Sequence, residues 1–257
     1  PAPGLAGSPW LCRQRGNGEE LEMDKPLLYD VFCGAGGVTR GYQEAGFYVV
    51  GIDIVKQPHY IGDEFIQMDA LQFLAELLAG KWSEPAAIHA SPPCQFGSES
   101  TPMAYRSKHP NLIPQTRQIL QEIDKPYVIE NVENVRKWLQ NPVMLCGTMF
   151  DLPLWRHRYF EMRPFWFMSP RSCAHIRVPI TINSGGHTHK TWNPVLCTGG
   201  GDGMRSNRKT HRPRESVEVI RWAMQIDWMT QDELSQAIPP AYTRHVGERM
   251  LEMMGVH

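Results

Sequence analysis

The chain has 257 residues, of which 42% are apolar, enough to bury a sizeable core in one α/β domain with a small appendage. No apolar run reaches the roughly 18 residues of a membrane span, and the start lacks the order of a signal peptide, so a soluble, cytoplasmic protein without membrane association is expected. The net charge of −1 conceals an asymmetry: residues 156 to 214 carry 11 Lys+Arg against Glu161 and Asp202, hence +9, which leaves −10 for the remainder. Such a basic segment suits a polyanion, a solvated surface being the plainer alternative.

Residues 1 to 22, rich in Pro and Gly and without a periodic apolar face, read as a tail or leader ahead of Met23. The apolar run at 27 to 32 predicts a buried strand, residues 38 to 45 the helix after it, and 48 to 53 a second strand. A third strand ends near Asp69, and a helical stretch follows at 71 to 78. Residues 86 to 90 predict the next strand, 113 to 122 a helix, and 127 to 130 a further strand. Repeated alternation of this kind implies a parallel sheet with helices on both faces and functional residues at the carboxyl ends of the strands, where Asp30, Asp53, Cys94 and Glu130 all stand. After Phe160 the composition turns to Pro, Gly, Thr, Arg and His, which predicts a small irregular insert. Helical character returns at 215 to 224, 231 to 236 and 242 to 254.

Several of these positions suggest chemistry. Gly34, Gly36 and Gly37 allow a backbone turn to approach a ligand closely, and the following helix offers unpaired N–H groups. Asp53, 16 residues beyond Gly37, stands where a carboxylate can bind ribose hydroxyls; a capping role is the alternative. Asp69 is placed to accept a hydrogen bond from an adenine amino group or to cap the next helix. Two prolines stiffen the chain before Cys94, so its thiol is presented on a loop as a candidate nucleophile. Glu130 closes an apolar strand, where a partly desolvated carboxyl group has a raised pKa and can hold or donate a proton.

The series Asp30-Val31-Phe32-Cys33-Gly34-Ala35-Gly36-Gly37, Pro92-Pro93-Cys94-Gln95, Glu130-Asn131-Val132 and Arg156-His157-Arg158 resembles the DNA (cytosine-5)-methyltransferases, in that family's order. Residues 27 to 160 carry the likeness, which returns at Gln236-Ala237-Ile238-Pro239-Pro240. The resemblance implies an α/β fold, the Rossmann-like class I S-adenosylmethionine-dependent methyltransferase sheet, in a compact prokaryotic or phage-like member. It divides the chain into a catalytic and cofactor-binding domain at 23 to 161, a target-recognition region at 162 to 214, and helices at 215 to 257 that return to the catalytic domain.

By the same resemblance S-adenosyl-L-methionine is the cofactor. Phe32 and Ile54 would sandwich its adenine, Asp53 would hold its ribose, and Gly34 and Gly36 would hold its methionine part. Asp30, Ala35, Gly37, Asp69, Pro93, Ala237 and Ile238 complete the expected cofactor set. Cys94 would add to carbon 6 of a flipped-out cytosine, Glu130 would engage ring nitrogen 3, and Arg158 with Arg156 would hold the carbonyl or a phosphate. Double-stranded DNA is the expected partner of a monomeric enzyme, with Gln95, Ser98, Trp192, Arg205, Arg208 and Lys209 as contacts and residues 96 to 109 as a closing loop. An RNA cytosine-5 methyltransferase and a catalytically silent DNA-binding homologue are the competing readings.

Two departures from the family pattern stand out: Leu154 replaces a usual glutamine, and Ser235-Gln236 replaces a usual Gly-Asn. The six cysteines, at 12, 33, 94, 146, 173 and 197, form no Cys-x-x-Cys pair, so reduced thiols are expected. Cys173, His175, His187, His189, Cys197 and His211 raise a structural zinc within the insert, but their spacing lacks the compact signature, and no metal is expected.

Overall fold

The computed structural model describes residues 25 to 96, 110 to 165, 168 to 176, 178 to 184, 187 to 193, 195 and 215 to 256. Seven strands form one mixed sheet: β1 (Leu27–Val31), β2 (Tyr48–Asp53), β3 (Glu64–Gln67), β4 (Ala87–Ala90), β5 (Tyr127–Asn131), β6 (Val143–Leu145) and β7 (Arg158–Arg163), in the order β3-β2-β1-β4-β5-β7-β6. The first five are parallel, whereas β7 runs antiparallel between β5 and β6. Order reverses beside β1, where the chain passes outward through β2 and β3 and then returns to β4. In an open α/β sheet that switch opens a crevice at the strand carboxyl ends.

Alternate residues of β1 serve opposite faces, as the twofold period of a strand requires. Leu28 joins a cluster with Val49, Ala87, Val128 and Phe160 beneath α1 (Gly37–Ala45), α4 (Val217–Met224), α5 (Gln231–Gln236) and α6 (Pro240–Met254). Leu27, Tyr29 and Val31 join Ile52, Ile88 and Ile129 beneath α2 (Ala70–Leu78) and α3 (Ile113–Ile123). The sheet is therefore covered on both faces, which explains why its parallel strands read as continuous apolar runs. Helix starts follow local chemistry: Asp69 caps α2 by accepting from the N–H groups of Leu71 and Gln72, and Thr230 with Glu233 forms a capping box on α5. The last helix is fastened to α1 by Thr243, whose hydroxyl donates to the carbonyl of Val38 at 2.9 Å.

Within the insert, β8 (Val178–Ser184) and β9 (His187–Asn193) pair as an antiparallel hairpin, an ordered element in a stretch whose composition suggests irregular chain. No helix among the described residues is long and apolar enough to cross a membrane.

A buried ion pair locks α3 to β7. Arg117 donates through Nε and Nη2 to the two oxygens of Glu161, at 2.7 and 2.6 Å, and Glu161 also accepts from the N–H of Gln140 at 2.8 Å. The side chains are 10% and 2% exposed. Arg117→Met leaves that carboxylate buried without its cation and is expected to lower unfolding stability by about 3–5 kcal/mol, whereas adding Glu161→Leu to it recovers most of the loss. Urea denaturation of both variants checks this; equal losses in the single and double variants contradict it.

Candidate active site

The carboxyl end of β1 breaks into a tight turn. Phe32 adopts φ 64°, and the N–H groups of Phe32 and Cys33 both donate to the carbonyl of Ile52, which ties the turn to β2. Gly34 follows at φ 50°, and a side chain there would meet nothing within 4 Å, so this glycine faces open space. Gly37 serves differently. A Cβ at that position would lie 2.7 Å from the carbonyl oxygen of Ile238, so Gly37 is a packing glycine that admits the C-terminal segment. Ala35 is buried, and its carbonyl accepts from the Trp228 indole at 2.9 Å.

Asp53 closes β2 with both oxygens oriented: Oδ2 accepts from the Gly34 N–H at 3.1 Å, and Oδ1 accepts from the Val55 N–H at 2.9 Å. Beside it Ile54 is 63% exposed, an apolar side chain left in solvent, while Phe32 is half-buried. Asp69 is exposed and its Oδ1 is committed to the cap of α2. The side chain of Ile238 is packed in the core, so any ligand contact there falls to backbone, and Ala237 lies against Gly37.

Asp30 lies wholly buried below the turn. Its Oδ2 accepts from the Thr39 hydroxyl at 2.6 Å, while Oδ1 has no hydrogen-bond partner. Burial pushes its pKa up to about 7, with the negative charges of Asp53 and Glu130 adding to the shift. A carboxyl group whose folded pKa is raised contributes stability that is complete below its unfolded value near 4 and is lost as pH rises through about 7. Asp30→Asn is therefore expected to gain on the parent by a few kcal/mol, on the order of 2–4, between pH 4 and pH 8. Parallel stability curves for the two proteins across that range would contradict it.

On the other side of the switch, the Pro92-Pro93-Cys94 segment leaves β4. Asn131 donates through Nδ2 to the Pro92 carbonyl at 2.8 Å, fastening the cysteine loop to the end of β5. Cys94 is half-buried and not in a disulfide, and Pro93 and Gln95 flank it. Glu130, one residue before Asn131, is 5% exposed. Desolvation raises its pKa; the Arg158 cation, a hydrogen bond from Ser91 and the more remote Arg156 oppose that rise. Arg158 Nε lies 3.2 Å from Glu130 Oε1. Because β7 is antiparallel to β5, the start of β7 meets the end of β5, with Asn131 opposite Tyr159, and this places Arg158 beside Glu130.

A buried relay supports the carboxylate. His89 lies 2.9 Å from the Tyr42 hydroxyl through Nδ1 and 3.0 Å from the Ser91 hydroxyl through Nε2. Burial lowers its pKa to about 3, so the ring is neutral. With Ser91 donating to Glu130, one assignment serves both ring nitrogens: Tyr42 donates to Nδ1, and Nε2–H donates to Ser91. Sequence reasoning assigned no role to His89, Ser91 or Asn131; a histidine inside a wholly apolar strand, and an Asn directly after Glu130, were the available signals.

Arg156 stands apart from Arg158. Its Nη2 donates to the Ser235 carbonyl at 2.5 Å, and its own carbonyl accepts from Tyr242 at 2.6 Å, so it joins the Arg156-His157-Arg158 segment to the C-terminal helices. Leu154, where a glutamine was the family pattern, is buried in the core, and that polar contact is replaced by packing. Of the expected nucleic-acid contacts, Ser98, Arg205, Arg208 and Lys209 lie outside the described residues, as does most of the 96 to 109 loop; Trp192 occupies β9, opposite Pro179. Of the six Cys and His residues of the insert, Cys173 and His175 meet Cys146, which follows β6, and His157, which precedes β7; His187 and His189 lie on β9, and Cys197 and His211 lie outside the described residues.

No family model matches the chain, and no curated protein matches it. Solved structures do. A protein described as a DNA modification methyltransferase encoded within an E. coli prophage superposes with a TM-score of 0.57 at 14% identity, covering 90% of this chain and 100% of that one. The Schizosaccharomyces pombe (S. pombe) Dnmt2 methyltransferase gives 0.55 at 15% identity, and the Entamoeba histolytica methyltransferase EhMeth 0.54 at 12%, each covering 90% of this chain and 99% of the other. The seven-stranded mixed sheet with its flanking helices is thus the class I methyltransferase fold expected from the motifs.

Proposed function

We propose that this protein transfers a methyl group from S-adenosyl-L-methionine to carbon 5 of cytosine in double-stranded DNA, through a transient covalent bond to Cys94. The observation that carries the reading is the joint between β4 and β5: Asn131 holds the carbonyl of Pro92, and Glu130 beside it is a buried carboxyl group paired with Arg158. A nucleophile, a proton-holding group and a cation thus share the carboxyl edge of two adjacent strands.

The neighbouring edge fits the cofactor. Gly34 opens onto space that a side chain could occupy, Asp53 is clamped with its carboxylate at the end of β2, Ile54 exposes an apolar side chain, and Asp30 keeps a buried oxygen without a partner. A cationic nucleoside with a hydrophobic base and ribose hydroxyls suits that set. Asp53 would hold the ribose, Phe32 and Ile54 the adenine, and the Gly34 to Gly36 turn the methionine portion. When bound, the cofactor supplies an electrophilic methyl group.

The chain's own residues do the rest. Cytosine carbon 5 is a weak nucleophile, so addition of the Cys94 thiolate to carbon 6 pushes electron density toward it. Glu130 holds a proton at ring nitrogen 3 and neutralises the charge that develops as the thiolate adds. Arg158 holds the carboxyl group in place and reaches the cytosine carbonyl or a phosphate. After methyl transfer, the carbon 5 proton passes to water, Cys94 leaves as the thiolate, and the proton at ring nitrogen 3 returns to Glu130, which restores the ring and the enzyme. Carbon 6 is shielded inside a duplex, so the base must leave the stack. The charge of +9 over residues 156 to 214 supports a polyanionic substrate read by the 162 to 214 region, with Trp192, Arg205, Arg208 and Lys209 as its contacts.

Nucleoside mass spectrometry of unmodified duplex DNA after incubation with cofactor and protein tests this. 5-Methylcytosine formed by the parent protein and not by Cys94→Ala supports it. Methylation of RNA alone transfers the same chemistry to RNA, and cofactor binding without any product assigns a silent DNA-binding role.

A further inference from the structure

We infer that Cys146, His157, Cys173 and His175 form a tetrahedral zinc site that fastens the start of the insert to the arginine strand of the active site. Their ligand atoms all lie within 4.8 Å of one another. Cys146 Sγ is 3.4 Å from His175 Nε2, Cys173 Sγ is 3.1 Å from His175 Nε2 and 3.6 Å from His157 Nε2, and the two Nε2 atoms are 3.1 Å apart. Zinc–sulfur bonds of about 2.3 Å and zinc–nitrogen bonds of about 2.0–2.1 Å at tetrahedral angles require S···N edges of about 3.5 Å and an N···N edge of about 3.3 Å. The four observed edges fall within half an ångström of those values.

Hydrogen bonding does not account for the arrangement. His175 Nε2 faces two sulfurs and a second imidazole nitrogen at once, yet a ring nitrogen offers either one N–H or one in-plane lone pair. Four electron-pair donors converging on one point are the donor set of a soft, geometrically undemanding cation, and two thiolates with two imidazoles select zinc among common divalent ions.

The surroundings are those of a metal ligand shell. Glu133 lies 3.9 Å from Nδ1 of His157, the outer nitrogen if Nε2 binds metal. The Thr148 hydroxyl lies 3.3 Å from Cys146 Sγ and 3.8 Å from Cys173 Sγ, and the same oxygen accepts from the Ala174 N–H at 3.2 Å. Trp155 stacks on the His175 ring with a centroid separation of 4.4 Å. Arg171 pairs through both terminal nitrogens with Asp151, securing the same stretch a second time. This ligand set replaces the expectation of no metal. It escapes a search for compact spacing because two ligands flank sheet strands and two come from the insert, and the pairing of Leu145 at the end of β6 with Arg158 at the start of β7 sets the adjoining Cys146 and His157 side by side.

The site has a structural meaning. His157 sits between Arg156 and Arg158, so a metal at this point ties the segment leading to the β8–β9 hairpin to the residue that orients Glu130. Coordination closed by four protein ligands leaves no position for water, which makes the ion a brace and not a reactant.

The test is the metal content of the full chain, purified without a histidine tag, by inductively coupled plasma mass spectrometry. One zinc per chain is expected, falling at least tenfold in Cys173→Ser and in His175→Ala. Both substitutions lie at the accessible edge of the cluster, and a urea midpoint monitors folding. His175→Cys should retain the metal. Cobalt exchanged into the parent protein should show the ligand-field bands of a tetrahedral thiolate site, stronger in thiolate-to-cobalt charge transfer for His175→Cys. Hydrogen exchange at residues 168 to 176 should rise on chelation while β1, β4 and β5 stay protected. Parent protein that holds less than a tenth of an equivalent and shows no thiolate band with cobalt overturns the site, as does a Cys146–Cys173 disulfide in its place. Unchanged exchange at 168 to 176 after metal removal overturns the bracing role.

Discussion

Cys94→Ala is expected to reduce methyl transfer by at least about 10⁴-fold, to no detectable 5-methylcytosine, while changing cofactor affinity by less than about threefold. In the proposed mechanism the sulfur is the atom that makes carbon 5 reactive, so no neighbouring group substitutes for it. Little else should change. Asn131 grips the loop through the backbone carbonyl of Pro92, and the turn proposed to hold the cofactor belongs to β1 and β2 on the far side of the switch. Quench-flow single turnover with titration calorimetry separates the two readouts. Trapping of the parent protein, but not the variant, on DNA containing 5-fluorocytosine adds a covalent signature. Residual turnover by Cys94→Ala within a hundredfold of the parent would remove the nucleophile assignment.

Glu130→Gln is expected to slow the chemical step by about 10²–10⁴-fold, since it keeps size and hydrogen-bonding capacity but cannot hold the proton that the proposed mechanism places at ring nitrogen 3. The raised pKa sets the pH dependence. If the protonated carboxyl group is the active form, the parent's rate falls as pH rises through Glu130's folded pKa, and that limb disappears in the variant. A stability cost accompanies it, because Arg158, whose side chain is 12% exposed, keeps its charge while losing its partner. Single-turnover rates against pH, beside urea midpoints, divide catalysis from folding. A variant with an unchanged rate and an unchanged limb would show that Glu130 is only the structural partner of Arg158. The Tyr42–His89–Ser91 relay ends on this carboxylate, so its geometry is held from within the core and not from the solvent side.

Much of the candidate site was legible in the chain because its parts are local. The apolar runs of β1, β2, β4 and β5 are continuous where both faces of the sheet are covered, and each ends at a chemically distinct residue: Asp30, Asp53, the Pro92-Pro93-Cys94 turn and Glu130. Asp69 stood in the sequence as an adenine contact with a helix cap as the alternative, and its Oδ1 makes the cap. The glycines were legible as a turn, though not by role. Only packing distinguishes Gly34, which faces open space, from Gly37, which faces the backbone of Ile238.

What the sequence by itself determined is the order of the five parallel strands with the helices between them and the kinds of groups at their ends, while the short β6, β7 and the insert hairpin went unmarked, since propensity, capping and turn chemistry act within a few residues. The tertiary structure alone decided which of those groups meet. Reversal of β7 between β5 and β6 sets Arg158 on Glu130, sends Arg156 to the Ser235 carbonyl 79 residues away, and carries His157 to a cluster with Cys146, Cys173 and His175. Strand direction is a property of the whole packed sheet, set by which apolar faces must be buried together, and three consecutive residues of one motif therefore acquire three different partners.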